Sequence, residues 1–106
     1  MTGTLVTPKD INTQHGIAYL PENNKKYTLE EIKKYIGCRY AQVMYSRKGK
    51  PGERLVFFGD EDAKLQAGWQ QRINPSATEL AKANAAIGED DCLVGNIFYC
   101  KEKHFE

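Results

Sequence analysis

No apolar run in this sequence approaches the roughly 20 residues that a membrane-spanning helix needs. The opening stretch, Met1 to Asp10, carries neither the basic nor the apolar segment of a secretory leader. Cysteine is sparse and odd in number: Cys38, Cys92 and Cys100. Small secreted domains are usually stapled by a dense, even set of cysteines, so these three read as free thiols in a reducing compartment. Together these absences point to a cytoplasmic protein with no membrane partner. Internal repeats and low-complexity linkers are also missing, so residues 1–106 are read as a single domain.

Catalytic raw material is equally thin. The histidines are His15 and His104, both near chain ends, and no spacing brings either to a cysteine as nucleophilic catalysis requires. Cys92, Cys100 and His104 give a C-x7-C-x3-H pattern, but the two cysteines fall at opposite ends of one expected strand, too far apart to share a zinc ion. Asp60, Glu61 and Asp62 are adjacent carboxylates that read as a solvated turn. The expectation is therefore a non-enzymatic protein with no metal and no cofactor.

What the sequence does have is a globular composition, 41% hydrophobic and 27% charged. Its net charge of +1 conceals a split. Residues 1–58 hold ten Lys/Arg against five Asp/Glu; residues 59–106 hold five against nine. Both halves also carry apolar segments, so the fold must interleave them.

The pattern of elements is readable. Thr4 to Thr7 is a short apolar stretch stopped by Pro8, and Gly16 to Leu20 reads as a strand closed by a turn at Pro21–Asn24. Thr28 and Glu31 form a capping box, Leu29, Ile32 and Ile36 share one helical face, and Gly37 supplies a left-handed C-cap. Arg39 to Ser46 and Arg54 to Phe58 flank a basic turn and read as an antiparallel hairpin. Gly59 to Ile73 is irregular, with a short helical turn expected near Ala63–Ala67. Asn74 followed by Pro75 opens a second helix, with Ala77, Leu80, Ala81 and Ala85 as its apolar stripe and Gly88 as its end. Cys92 to Cys100 is a nearly continuous apolar run, as a central strand buried on both faces would be, and Lys101 to Glu106 is left as a polar tail. The expected fold class is α+β: a mainly antiparallel sheet of four to five strands with two helices packed on one face.

Four segments in this order resemble a known group. They are Lys26-Tyr-Thr-Leu-Glu-Glu-Ile32 leading to Ile36-Gly37, the acidic Gly59–Asp62 turn with Lys64-Leu65, Asn74-Pro-Ser-Ala77, and Val94-Gly95-Asn96 in a closing apolar segment. The chain resembles an uncharacterised family of small proteins encoded by phages, prophages and conjugative elements, over about residues 17–100. Cys38 stands where that family has a second glycine. The resemblance implies a mobile-element setting inside a bacterial host, and carries no accepted activity with it.

Two places are candidate ligand sites. Asn74 and Ser76 open the second helix, whose positive end can hold an anion, with Arg72 close by and Trp69 able to stack on a base. Asn96 is an amide amid apolar neighbours and must find partners or line a pocket. These residues suit a nucleotide-like ligand; a host protein is the other partner expected of a mobile-element binding module. The alternative reading is nucleic-acid binding through Arg47, Lys48, Lys50 and Arg54 on the hairpin. Exposed strand edges also favour a homodimer.

Overall fold

Among the described residues, five strands and two α-helices follow one another in the order β1 (Gly3–Val6), β2 (Ile17–Tyr19), α1 (Leu29–Ile36), β3 (Ala41–Tyr45), β4 (Leu55–Asp60), α2 (Pro75–Ala83) and β5 (Ile97–Lys101). The computed structural model describes residues 3–106, the side chain of Thr13 excepted. The strands form one sheet in the order β2-β1-β5-β4-β3, and every neighbouring pair is antiparallel. This is the α+β class expected from the sequence. The radius of gyration, 12.7 Å, is close to the ~13 Å of a compact domain of about 100 residues. Among the described residues no helix is long and apolar enough to cross a membrane.

Alternation along the strands builds two cores. Side chains of successive strand residues leave opposite faces of a sheet. Leu5, Val56, Phe58, Phe98 and Cys100 point to one face and pack with Tyr27, Ile32 and Ile36, the latter two from α1. Their neighbours Val6, Phe57 and Ile97 point to the other and pack with Met44, Leu93, and Ala77 and Ala81 of α2. The expectation that both helices share one face is thus corrected: each covers its own face. The physical reason is that β4 and β5 are apolar at consecutive positions, so neither face could be left to water.

The capping signals act as expected. Thr28 Oγ1 accepts from the Glu31 amide at 3.2 Å, and Glu31 Oε1 accepts from the Thr28 amide at 2.8 Å. The second oxygen of Glu31, a buried residue, accepts from the Glu22 amide and from the Tyr35 hydroxyl, both at 3.0 Å. Tyr35 in turn stacks on Tyr19 with ring centroids 4.2 Å apart, which ties α1 to the outermost strand β2. Burial, then the bond to Glu31, raises the Tyr35 phenol above its usual range. Gly37 closes α1 at φ 82°, where a Cβ would be strained.

Three boundaries differ from the expectations. α2 stops at Ala83, short of Gly88: the Asn84 side-chain Nδ2 competes for the Leu80 carbonyl, and the residue after it leaves the helical region. Ala85 therefore lies beyond the helix, at φ 55°. β5 begins at Ile97, five residues after Cys92, because Gly95 adopts φ 78° and breaks the extended run. It is nonetheless the central strand and contributes side chains to both cores. The expected polar tail is docked: Tyr27 donates its amide to the His104 carbonyl at 2.8 Å, Glu106 donates to the Tyr27 carbonyl at 3.0 Å, and Phe105 packs edge-on against Phe58.

Tyr27 fastens this core to the β1–β2 pair. Its fully buried hydroxyl donates to the Tyr19 carbonyl and accepts from the Gly3 amide. Tyr27→Phe keeps the ring but strands both backbone groups. It should lower unfolding stability by about 2 kcal/mol, seen as a lower denaturant midpoint at unchanged slope. A change within experimental error would show that the hydroxyl holds nothing.

Candidate functional site

The irregular segment after β4 is a sequence of short turns laced to the chain just before β5. One 3-10 turn spans Ala63–Leu65 and another Trp69–Arg72. Ile73 then bridges Val94, the Asn74 amide donates to the Leu93 carbonyl at 2.8 Å, and the Gly95 amide donates to the Arg72 carbonyl at 2.7 Å. The α2 cap completes the lacing. Asn74 is fully buried; its Oδ1 accepts from the Ala77 amide at 3.2 Å, while Nδ2 donates to the carbonyls of Val6 and Gly95, both at 2.9 Å. Ser76 Oγ donates to the Asp10 carbonyl at 3.2 Å, and Thr78 Oγ1 accepts from the Leu93 amide at 2.8 Å.

The left-handed turn at Gly95 brings the half-buried Asn96 toward the end of α1, where its Nδ2 lies 3.4 Å from the Ile36 carbonyl. Across from it Arg72 donates Nη2 to Gln66 Oε1 at 2.7 Å. Between these groups is a cleft of ≈ 410 Å³, lined among others by Arg72, Gln66, Asn96, Asp60, Gly95 and Ile36. Its chemistry is mixed. A guanidinium offers a planar fork to a phosphate or carboxylate. Asp60 and the carbonyl end of α1 favour a donor or a positive group. The amides of Asn96 and Gln66 can serve either way.

Of the residues singled out from sequence, Arg72 and Asn96 meet at this cleft. Trp69, Asn74 and Ser76 lie outside its lining. Trp69 sits on the same turn as Arg72, whereas Asn74 and Ser76 spend their polar atoms on the chain's own backbone. Gln66, Asp60 and the end of α1 were not expected there. Gly37 and the acidic run were visible as a helix stop and a turn, but only the tertiary fold makes them neighbours.

A smaller cavity of ≈ 150 Å³ adjoins, sharing Asp60, Ala63 and Val94 with the cleft and adding Cys92, Met44 and Lys64. Lys64 pairs with Asp91 at its rim and holds that carboxyl below the usual range. The other cysteines are elsewhere: Cys100 is buried in β5, its thiol pushed up to about 12 by burial, and Cys38 is half-buried and also raised by burial. Among the described residues no three His, Cys, Asp or Glu side chains gather as metal ligands.

The basic hairpin forms a separate surface. Arg47, Lys48 and Lys50 are exposed, and Arg54 donates Nε to the Gly49 carbonyl at 2.9 Å. Glu53 is engaged by Lys101 at 2.8 Å and by Lys103, which hold its carboxyl down at about 2. Comparison with protein-family models, with curated proteins and with solved structures returned no match.

Asn74 positions one wall of the cleft, and its chemistry is testable. An ordinary N-cap accepts Asp as well as Asn. Here the amide must also donate to two carbonyls, which a carboxylate cannot do. Asn74→Asp should therefore destabilise about as strongly as Asn74→Ala, by about 3 kcal/mol. If equilibrium unfolding finds Asn74→Asp close to wild type, the double donation is not holding the loops.

Proposed function

We propose that this protein is a non-enzymatic binding module whose cleft holds a small anionic, nucleotide-like ligand. One observation carries this reading: Asp60 at the end of β4, Gln66 and Arg72 from the loop that follows it, and Asn96 from the segment before β5 line one cleft of ≈ 410 Å³. The volume lies within the roughly 300–1,000 Å³ range of small-molecule sites. Arg72 is the anion contact, because a guanidinium pairs a phosphate or carboxylate through two parallel bonds. Asn96 and Asp60 read the hydrogen-bonding edge of the ligand. Action is stoichiometric, by sequestration. The resemblance to mobile-element proteins supports a setting inside a bacterial host, where such a module would take a host ligand or host protein out of use and so blunt a defence.

Calorimetric titration with a panel of linear and cyclic nucleotides tests the site, with Trp69 fluorescence as a second signal. Arg72→Ala should weaken binding about tenfold or more, while Ser76→Ala should leave it unchanged. A flat response across the panel removes the ligand reading.

A second reading rests on the hairpin. Arg47, Lys48 and Lys50 make no ion pair among the described residues, and the nearby Glu53 is already neutralised by Lys101 and Lys103. An accessory protein that binds DNA or RNA phosphates would use this surface, with Arg54 setting the shape of the turn. Its affinity should fall about tenfold or more between 50 and 200 mM salt, as counterion release requires. No binding at the lower salt ends this reading.

A further inference from the structure

The sheet has two edges, and they are treated differently. β2 has only three residues and is followed by Pro21, a short edge with little room for another strand. β3 has five, and from Tyr40 to Ser46 it contains no charge, proline or glycine. None of the usual devices that blunt an edge is present there.

The direction of its free backbone groups follows from the ladder. Ser46 donates to the Leu55 carbonyl and Glu61 donates to the Tyr40 carbonyl, both at 3.0 Å. Pairing with β4 runs without interruption from Ala41↔Asp60 to Tyr45↔Val56. Even-numbered residues therefore turn their backbone to β4, and Ala41, Val43 and Tyr45 turn theirs outward. At Arg47 the edge stops, because that amide is taken by the Asn84 carbonyl at 3.1 Å. The open edge is five residues long and centred on Val43.

We infer that this edge pairs with the same edge of a second copy, antiparallel about a two-fold axis at Val43, to make one continuous ten-stranded sheet. Outward groups at Ala41, Val43 and Tyr45 then meet those of Tyr45, Val43 and Ala41 of the second copy, and all of them are satisfied. Side-chain sizes match in this register. Tyr45, 54% exposed, lies across from Ala41 of the second copy, and Tyr40, 56% exposed, lies across from Ser46. The large exposed rings thus lie across from small residues, the part-exposed Ala41 and the already buried Ser46, which leaves room for cross-strand packing.

Charge favours the same arrangement. Antiparallel pairing sets the basic hairpin of one copy, with Lys48 and Lys50, toward the open end of the β3–β4 pair of the other. That end carries Asp60, Glu61 and Asp62, on the strand paired with Ala41 and in the turn after it. Arg39 approaches Arg47 of the second copy just beyond the paired residues, an adverse contact that the acidic turn beside it offsets. This surface shares Asp60 with the cleft, but the backbone pairing along β3 does not rest on the ligand reading.

Sedimentation equilibrium and concentration-dependent amide exchange on the full chain test the inference. The wild type should reach twice its 12.0 kDa mass with a dissociation constant of about 1–100 μM, and the amides of Ala41, Val43 and Tyr45 should gain protection as concentration rises. Val43→Pro removes the outward amide, together with a part-buried side chain that packs against the core, and should be monomeric. Should that variant misfold by circular dichroism, Lys48→Glu supplies the test: it should weaken the dimer about tenfold, and adding Glu61→Lys should restore it. A wild type that stays monomeric, a dimer untouched by Val43→Pro and Lys48→Glu, or edge amides that exchange independently of concentration would each overturn self-pairing.

Discussion

Asn74 joins three parts of the chain that are far apart in sequence, and the layout of the domain depends on that junction. Its amide group is fully buried and holds the end of β1 through Val6, the turn before β5 through Gly95, and the first turn of α2 through Ala77. A buried amide without partners would cost about 1–3 kcal/mol. Here the same group is satisfied on three sides, so the cost of burial becomes a condition on geometry. The loop from Glu61 to Ile73 has few apolar anchors of its own, and its exposed Leu65 and Arg72 do not hold it down. It is placed because the backbone at 72–74 is stitched to 93–95 and Asn74 locks the stitch.

The cleft is a consequence of this stitching. Gly95 must adopt a positive φ to deliver its amide to Arg72 and its carbonyl to Asn74, and that turn is what carries Asn96 out of the strand direction toward α1. Opposite it, Arg72 is braced by Gln66 within the same loop. The wall made by α1 is set independently, by the capping box and by the packing of Ile32 and Ile36 on Phe58 and Phe98. A rigid wall facing a stitched loop is a sound basis for a binding site, because the polar groups need little reordering when a ligand arrives.

Local signals in the sequence translated well, and tertiary ones did not. Thr28 with Glu31, Gly37, and Asn74 with Pro75 each specify a helix terminus through atoms within four residues, and each is found where the sequence put it. The α+β sheet was legible from strand patterning, and β5 was legible as the central strand because its apolar residues are consecutive. That same feature carried further information: strands apolar on both sides require a cover on both sides, which places α1 and α2 on opposite faces. The docked C-terminus was not legible, since Phe105 is a lone aromatic among charged residues and its partner Tyr27 lies at the far end of the chain. Part of the cleft was visible in Arg72 and Asn96. Its remainder comes from Asp60, Gln66 and the end of α1, residues whose individual roles as turn, loop and helix stop give no hint that they adjoin.

The division of charge between the two halves of the sequence acquires a spatial meaning in the β3–β4 hairpin. The basic turn from Arg47 to Arg54 closes one end of this pair, and the acidic run from Asp60 to Asp62 follows from the other. Five paired residues at about 3.3 Å each separate the two ends by about 17 Å. That exceeds a Debye length of about 8 Å at physiological salt, so the ends act as separate poles and do not neutralise each other. Glu53, which sits within the basic turn, is bound by Lys101 and Lys103 and subtracts little from that pole. A near-neutral molecule thus presents a polarised strand edge. A like hairpin that approaches this edge antiparallel sets its basic turn toward the acidic run at both ends, with Arg39 as the like charge that this run has to offset.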